Sequence, residues 1–528
     1  MGQRKMKMNR TFVIRALLAG SAMMVPTVAQ AQEVATPASA QAEAQPDQSD
    51  ATADAAIAAA APMDDAASKI ELLQAQVEAL QESLAQVQAS IVKTTPSWKG
   101  GPEFADKDAG FSFKPKGFMQ FDAGYVGFPG GNELRGTVGG LNYQNLGFNT
   151  RARRLVFGAE GSLPGGFKYK AEFNFAQGAV DYEDIILSYD FKNSPLTVSV
   201  GNFYPYSSLE TVTSSRLGSM LERASFTDAF NYNRRLGIGL SLADKKADRY
   251  TLSAGLFSQP INDGSFTRTG WEVSTRGTYT PTFGSGFIHL GASAHIRGNT
   301  RESQGAQYRS RPLTQITDQR FVDTATLAAK GDYSLGLEVG GVFKSFHFAT
   351  EAQQLWVRDA YSTTAFIPLN PANNDTPLGT RLAGDPSFFG GYAEVGYYLT
   401  GETRGYKGGK WDRTKVLKPF DKGGWGAIQV NARLDYLDLS DRVGAAPAGS
   451  SSLVSLSAPY YVNGGKQLGY QASVIWNPMD YLRFMAQLGR TDITGGPRAS
   501  AVVPTSTDPV NKRDYHSTSA AVRAQLEF

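Results

Sequence analysis

The last fourteen residues constrain this chain more than any other stretch. Tyr515–Phe528 reads YHSTSAAVRAQLEF. Thr518, Ala520, Val522, Ala524, Leu526 and Phe528 form one apolar row, and Ser517, Ser519, Ala521, Arg523, Gln525 and Glu527 form the polar or small row between them. Alternation of period two marks a β-strand with one apolar and one wet face. The run is longer than most strands of soluble proteins, and tilted it suffices to cross a bilayer. Two architectures accept such a strand: the edge of a soluble sandwich, or the closing strand of a membrane barrel. The rest of the chain decides between them.

Sixteen stretches read as strands: 117–128, 150–160, 167–177, 180–191, 195–204, 235–243, 249–258, 270–280, 287–297, 331–343, 346–357, 388–399, 425–439, 467–476, 481–491 and 515–528. Many alternate cleanly. Phe167, Tyr169, Ala171, Phe173 and Phe175 oppose Lys168, Lys170, Glu172 and Asn174, and Ile428, Val430, Ala432, Leu434 and Tyr436 oppose Gln429, Asn431, Arg433 and Asp435. Aromatic residues recur near strand ends, among them Trp271, Tyr279, Trp356, Trp425, Trp476 and Tyr481, as in interfacial girdles. Short turns, such as 163–166, 192–194 and 344–345, alternate with long loops at 129–149, 205–234, 298–330, 358–387, 440–466 and 492–513. Long loops at one end and short turns at the other are the signature of an outer-membrane barrel. A soluble sandwich of this length would divide into domains, and no linker follows Pro96. The fold class read from the sequence is therefore all-β, a 16-stranded antiparallel transmembrane β-barrel over 98–528 with an N-terminal periplasmic coiled-coil helix. An even strand number puts both barrel ends at the short-turn, periplasmic side. Two connections fit less well: the one near 178–179 is very short for an outer loop, and 400–424 is long for an inner turn.

The N-terminus reads as three segments. Arg4, Lys5, Lys7 and Arg10 precede an apolar run, Phe12 to Val28, and the small-x-small site Ala29-Gln30-Ala31, so 1–31 is expected to be a cleaved signal peptide. Residues 32–67 are Ala, Gln, Pro, Asp and Thr with almost no large apolar side chain, a spacer that cannot bury enough surface to order itself. Within 68–95, Ile70, Leu73, Val77, Leu80, Leu84, Val87 and Ile91 are spaced 3,4,3,4,3,4, a three-heptad coiled-coil seam. Ser68 and Glu71 form a capping-box start. Three heptads are marginal alone, so partner chains are expected, either copies in a homo-oligomer or a periplasmic or cell-wall partner. Of 52 Lys and Arg and 49 Asp and Glu, residues 1–31 hold five bases and no acid and residues 32–97 two bases and ten acids, leaving 45 bases and 39 acids in 98–528. That surplus is too small for a nucleic-acid binder. The chain has no cysteine, which excludes disulfides and thiolate chemistry.

The barrel portion resembles the phosphate-selective porin O and P family over about 104–528. The resemblance rests on Arg153-Arg154-Leu155-Val156-Phe157-Gly158; on Gly201-Asn202-Phe203-Tyr204 with Leu209-Glu210, Thr213-Ser214-Ser215 and Glu222-Arg223; on Tyr398 to Tyr406; and on Gly426-Ala427 to Arg433 and Ile475-Trp476-Asn477-Pro478. It implies a homo-trimeric outer-membrane channel, embedded in outer-membrane lipid, whose third long loop folds into the pore. It also assigns 400–424 to a long inner connection, and it matches Arg153, Arg154, Arg223 and Arg216 to basic positions of the pattern. Thr211 stands where the phosphate-selective members carry a constriction lysine. The solute implied is thus a small anion, with phosphate one candidate.

Strand parity points nine bases inward (Lys116, Arg154, Lys168, Lys170, Arg235, Arg276, Arg297, Arg433, Arg483) against ten acids (Asp122, Glu160, Glu172, Asp184, Asp190, Glu272, Glu338, Glu351, Glu394, Asp435). The wall as a whole then has no charge preference, and clusters carry the expectation. Arg151-Arg153-Arg154 is one; Arg297, Arg301, Arg309, Arg311 and Arg320 form another. Clustered guanidiniums can fork onto phosphate or carboxylate oxygens. The candidate pore and anion-binding residues are Arg153, Arg154, Arg216, Arg223, Arg297, Arg309 and Arg311. Arg151 and Arg153 share parity with the lipid-facing Leu155 and Phe157, where an arginine at the bilayer midplane costs roughly 2–4 kcal/mol; they must lie at the rim or beyond a bulge. Loop 205–232 either narrows the pore, with Arg216 and Arg223 facing Arg154, or lies over it as an outer lid. The histidines available as bases, His289, His295, His347 and His516, accompany no G-x-S-x-G, H-E-x-x-H or phosphate-binding glycine loop. No catalytic residue, metal or cofactor is expected. The alternative to an anion channel is a general, non-selective porin whose coiled coil tethers the envelope.

Overall fold

The computed structural model describes residues 70–84, 97–98, 102–106, 108–129, 137–138, 141–142, 146–261, 270–299, 305–361, 385–441 and 462–528. The expected signal peptide and spacer lie outside these residues, as do the parts of the expected coiled coil on either side of 70–84. Contacts divide the chain into two units, Met1–Leu84 and Ala85–Phe528. In the first, residues 70–84 form a helix, α1. Ile70, Leu73, Val77, Leu80 and Leu84 are each more than half exposed on it. Among the described residues no helix is long and apolar enough to cross a membrane.

The second unit is built on sixteen long strands. The first eight are β1 (Phe111–Val126), β2 (Gly147–Leu163), β3 (Phe167–Asn174), β4 (Asp181–Asp190), β5 (Leu196–Phe203), β6 (Arg235–Ala243), β7 (Tyr250–Phe257) and β8 (Trp271–Tyr279). The others are β9 (Gly286–Gly298), β10 (Leu327–Phe343), β11 (Phe346–Tyr361), β12 (Ser387–Tyr398), β13 (Ala427–Asp441), β14 (Val462–Met479), β15 (Leu482–Thr494) and β16 (Asp514–Glu527). Each pairs antiparallel with the next. β16 pairs with β1 from Glu527↔Phe118 to Ser519↔Val126 and closes the sheet. Closure leaves no unpaired edge, which the hydrocarbon core requires. Phe528 completes the seam: Gly117 and Phe528 exchange two backbone hydrogen bonds of 3.0 Å.

Burial runs opposite to that of a soluble protein. On β16 the apolar row is the exposed one, with Val522 53% and Leu526 39% exposed, while Ser517, Arg523, Gln525 and Glu527 are buried in the lumen. The same inversion holds elsewhere, with Leu337 and Leu488 on the outside and Gln120, Glu272, Asp435 and Gln471 within. All sixteen expected strands are present, most within three residues of the expected ends. β1 begins six residues earlier than expected, because Lys114, Pro115 and Lys116 interrupt the hydrophobic pattern while the pairing with β2 continues to Ser112↔Ser162. β14 begins five residues early, beyond a bulge opposite β13.

The misplaced parity of the arginine cluster has a physical cause. β1 and β2 pair Gln120↔Arg154 and then Phe121↔Ala152, so Arg153 is an extra residue in the ladder. A bulge of this kind reverses the facing of everything beyond it. Arg151 then pairs with Asp122, on the lumen row.

Candidate functional site: the constriction of the barrel

The segment between β5 and β6 is a folded insertion rather than a slack loop. It holds two short helices, α2 (Leu209–Val212) and α3 (Ser225–Phe230). Ser208 caps α2 by accepting from the Thr211 amide at 3.3 Å, and α3 ends at Asn231 with φ 55. Leu209, Phe226 and Phe230 are fully buried, and Phe226 stacks on Tyr392 of β12. These rings give the insertion an apolar core inside an otherwise polar lumen.

Polar bonds carry it across to the far wall. The Glu210 amide donates to Glu351 of β11 at 2.8 Å, and the Ser225 amide to Asp435 of β13 at 2.8 Å. The Leu221 amide donates to Gln487 of β15 at 2.8 Å, and Ser473 of β14 donates to the Ser219 carbonyl at 2.6 Å. A segment that leaves β5 and returns to β6 while bonding β11 to β15 crosses the lumen. The lid alternative is thereby removed.

Glu222 is the hub of this crossing. It accepts from Arg153 Nε and Nη2 at 2.9 and 3.0 Å and from Arg523 Nη2 at 2.6 Å, and Arg154 Nη2 lies 3.9 Å away. Burial alone would raise its carboxyl, but the three guanidiniums outweigh it and hold the group well below the usual carboxylate range. Arg523 also forks onto Asp122 at 2.6 and 2.7 Å. Glu222 thus engages the wall on both sides of the β16–β1 seam rather than its neighbour Arg223.

Arg223 is held differently. It donates to the Tyr204 hydroxyl at 3.0 Å and to the carbonyls of Glu210, Thr211 and Thr213 at 3.0–3.1 Å. Its guanidinium lies 5.0 Å from the Tyr204 ring centroid. Among the described residues no carboxylate side chain pairs with it. Arg234 covers the same ring at 4.2 Å and also donates to the hydroxyl at 3.1 Å. Burial pushes the Tyr204 hydroxyl up, and the two guanidiniums bring it below the ordinary phenol value.

Two cavities flank this crossing and share Arg154, Glu222 and Arg223. The outer one, about 160 Å³, adds Ser310, Arg311, Leu313, Thr314 and Gln315 from the long loop between β9 and β10. That loop also dips inward: Arg311 N donates to Asp228 at 3.0 Å, and the Gln315 carbonyl accepts from Arg151 at 2.6 Å. The charged lining is Arg153, Arg154, Arg223 and Arg311 against Glu222 and Asp228. The inner one, about 30 Å³, is lined by Arg154, Arg223, Arg404 and Arg433 against Glu210, Glu222 and Glu394. Cations exceed anions in both, although strand parity alone predicts a balanced wall.

The inner connection between β12 and β13 supplies Arg404. It contains a hairpin, Gly405–Lys407 paired with Lys410–Asp412, that enters the barrel from the short-turn end. Tyr406 bonds Thr280 and His289 at 2.8 and 2.6 Å, and the Gly409 carbonyl accepts from Arg276 at 2.7 Å. Arg404 stacks over Trp411 at 4.3 Å and reaches His347 at 3.1 Å. The length anomaly at 400–424 is therefore a second lumenal insertion.

Of the seven expected arginines, Arg153, Arg154, Arg223 and Arg311 meet at the outer cavity. Three do not. Arg297 is buried in a fork on Asp332 at 2.7 and 2.8 Å and donates to the Phe230 carbonyl, which anchors the end of α3. Arg216 lies towards the inner end of β16, 3.5 Å from Glu527. Arg309 is exposed and lines neither cavity. Arg301 lies outside the described residues. Sequence reasoning missed Arg404, and it omitted Arg523 from the inward bases although Arg523 stands on the wet row of β16.

Comparison with known proteins agrees with this architecture. The family model described as phosphate-selective porin O and P matches residues 132–528. An uncharacterized protein of Caulobacter vibrioides is 36% identical over 444 residues, covering 82% of this chain and 77% of that one. Porin O of Pseudomonas aeruginosa is 25% identical over 413 residues, covering 75% and 85%. The crystal structure of the outer membrane channel DcaP of Acinetobacter baumannii is similar at 13% identity and a TM-score of 0.42, covering 80% of this chain and 98% of that one. The chain belongs to the phosphate-selective porin O and P family and forms a channel in the bacterial outer membrane.

Proposed function

We propose that this channel passes small hydrophilic anions by passive diffusion, and that the pass lies between the two cavities at Arg154 and Arg223. The observation that carries the reading is the local excess of guanidinium over carboxylate at the crossing. Selectivity in a channel follows from the charges at its narrowest part, so a balanced wall elsewhere does not oppose it. Arg154 and Arg223 suit the role because each bonds mainly neutral oxygens. Arg154 donates to Gln120 at 2.7 Å, which leaves donors of its fork for an anion. Phosphate and small carboxylates both match that fork. Thr211, buried within α2, contributes a carbonyl to Arg223 rather than a cation to the pore.

The test is a reversal potential across planar bilayers under a KCl gradient, followed by phosphate titrated against the chloride current. Anion preference with block at low phosphate supports a phosphate-class site. Anion preference without block supports a general anion channel. Cation preference overturns the reading.

A further inference from the structure

We infer that the exposed apolar seam of α1 is an interface with the same helix of other copies of this chain, packed parallel and in register. The pattern places Ile70, Val77 and Leu84 at heptad position a and Leu73 and Leu80 at d. All five are more than half exposed along α1. The flanks say which occupant fits. In coiled coils the e and g positions choose the partner through charge. Here e is Gln74 and Gln81, and g is Gln76 and Ser83. An identical helix in register meets no like charge there, and a foreign chain finds no charge to recognise. The acids Glu71, Glu78 and Glu82 fall at b and f, on the solvated side.

The three heptads from Ile70 to Ile91 are marginal for a free helix. Copies joined through their barrels would present the helices to one another at a high effective concentration, which removes most of the association cost. The seam mixes β-branched and Leu residues at a, so strand number follows the assembly of the barrels rather than the seam. This inference is independent of the solute that the channel passes.

The native chain has no cysteine, so single thiols report without background. Leu73→Cys lies off the midpoint of Ile70–Ile91, so it meets its own copy in a parallel pair and the region of Gln88 in an antiparallel one. A disulfide needs Cα atoms within about 7 Å. In full-length protein whose barrel is folded, as judged by heat-modifiable migration, mild oxidation of Leu73→Cys should give a species of twice the mass. Glu82→Cys, at f, should remain monomeric. No cross-link from Leu73→Cys, equal cross-linking from both, or a Leu73→Cys adduct in cells of a mass other than a multiple of this chain would overturn the inference. A second readout guards against a chance link: Leu73→Asp with Leu80→Asp should lower the melting temperature of the oligomer and leave single-channel conductance unchanged. An unaltered oligomer melting temperature would also overturn it.

Discussion

Replacing Arg154 by glutamine tests the constriction most directly. Arg154 lines both cavities and accounts for one of the four guanidiniums in each. An anion seated in a space of about 160 Å³ comes within roughly 4 Å of that guanidinium. At this separation one unit charge is worth about 4 kcal/mol at the effective dielectric of a protein surface and about 1 kcal/mol in bulk water. The lumen at the crossing lies between these limits. At 1.36 kcal/mol per decade, the concentration of phosphate that halves the chloride current should rise at least about five-fold, and the permeability ratio of chloride over potassium should fall. Glutamine keeps much of the side-chain length and a donor to Gln120, so the fold of β2 is retained. An Arg154→Gln channel with the parent's permeability ratio would refute the assignment of the pass to this crossing.

Three further perturbations follow from named contacts. The Glu222 carboxyl is depressed in the folded protein, so its contribution is present above the ordinary carboxylate pKa near 4.5 and is lost only as pH falls through the depressed value; the carboxyl carbon resonance of Glu222 should stay that of a carboxylate from pH 7 to pH 4.5, and its protonation within that window refutes the hub. Deleting Phe528 removes both backbone bonds to Gly117 and the ring contact with Phe157 at 5.9 Å, and should lower the fraction of heat-modifiable, folded barrel in the outer membrane; normal levels contradict the seam's role in assembly. Gly409 has φ +73, and a Cβ there would lie 2.9 Å from Thr278 Oγ1 and 3.0 Å from Thr251 Oγ1; Gly409→Val should displace the inner hairpin and raise single-channel conductance, whereas an unchanged conductance means the hairpin does not obstruct the path.

What the sequence makes legible is what a strand decides locally. Period-two alternation and turn chemistry place every barrel strand, because an out-facing leucine and an in-facing glutamine must alternate whatever lies across the lumen. Even the bulge at Arg153 is legible as a conflict, since an arginine on the lipid row must be moved off it. The path of the β5–β6 insertion is not legible. Its anchors, Ser225 to Asp435 and Leu221 to Gln487, are separated by 210 and 266 residues, and neither partner differs from an ordinary lumen residue by any local signal. The inner hairpin shows its length in the sequence but not its direction, which rests on Arg276 of β8 and His289 of β9.

The site residues divide for the same reason. Counting lumenal arginines treats each as available, yet a buried guanidinium forked on a carboxylate is not. Arg297 on Asp332 and Arg523 on Asp122 and Glu222 hold charge partners that an incoming anion would have to displace. Removing one partner of such a pair costs about 3–5 kcal/mol, more than a passing ion returns. These arginines set where the insertion sits. Arg223 instead directs all four of its hydrogen bonds to neutral oxygens, three carbonyls and one hydroxyl, and keeps its full positive field. Arg154 spends one donor on Gln120 and stands 3.9 Å from a carboxylate already shared by two other arginines. The field at the crossing is thus made by the two arginines that the ion-pair network leaves least neutralised, and the network makes that field usable by holding the insertion across the pore.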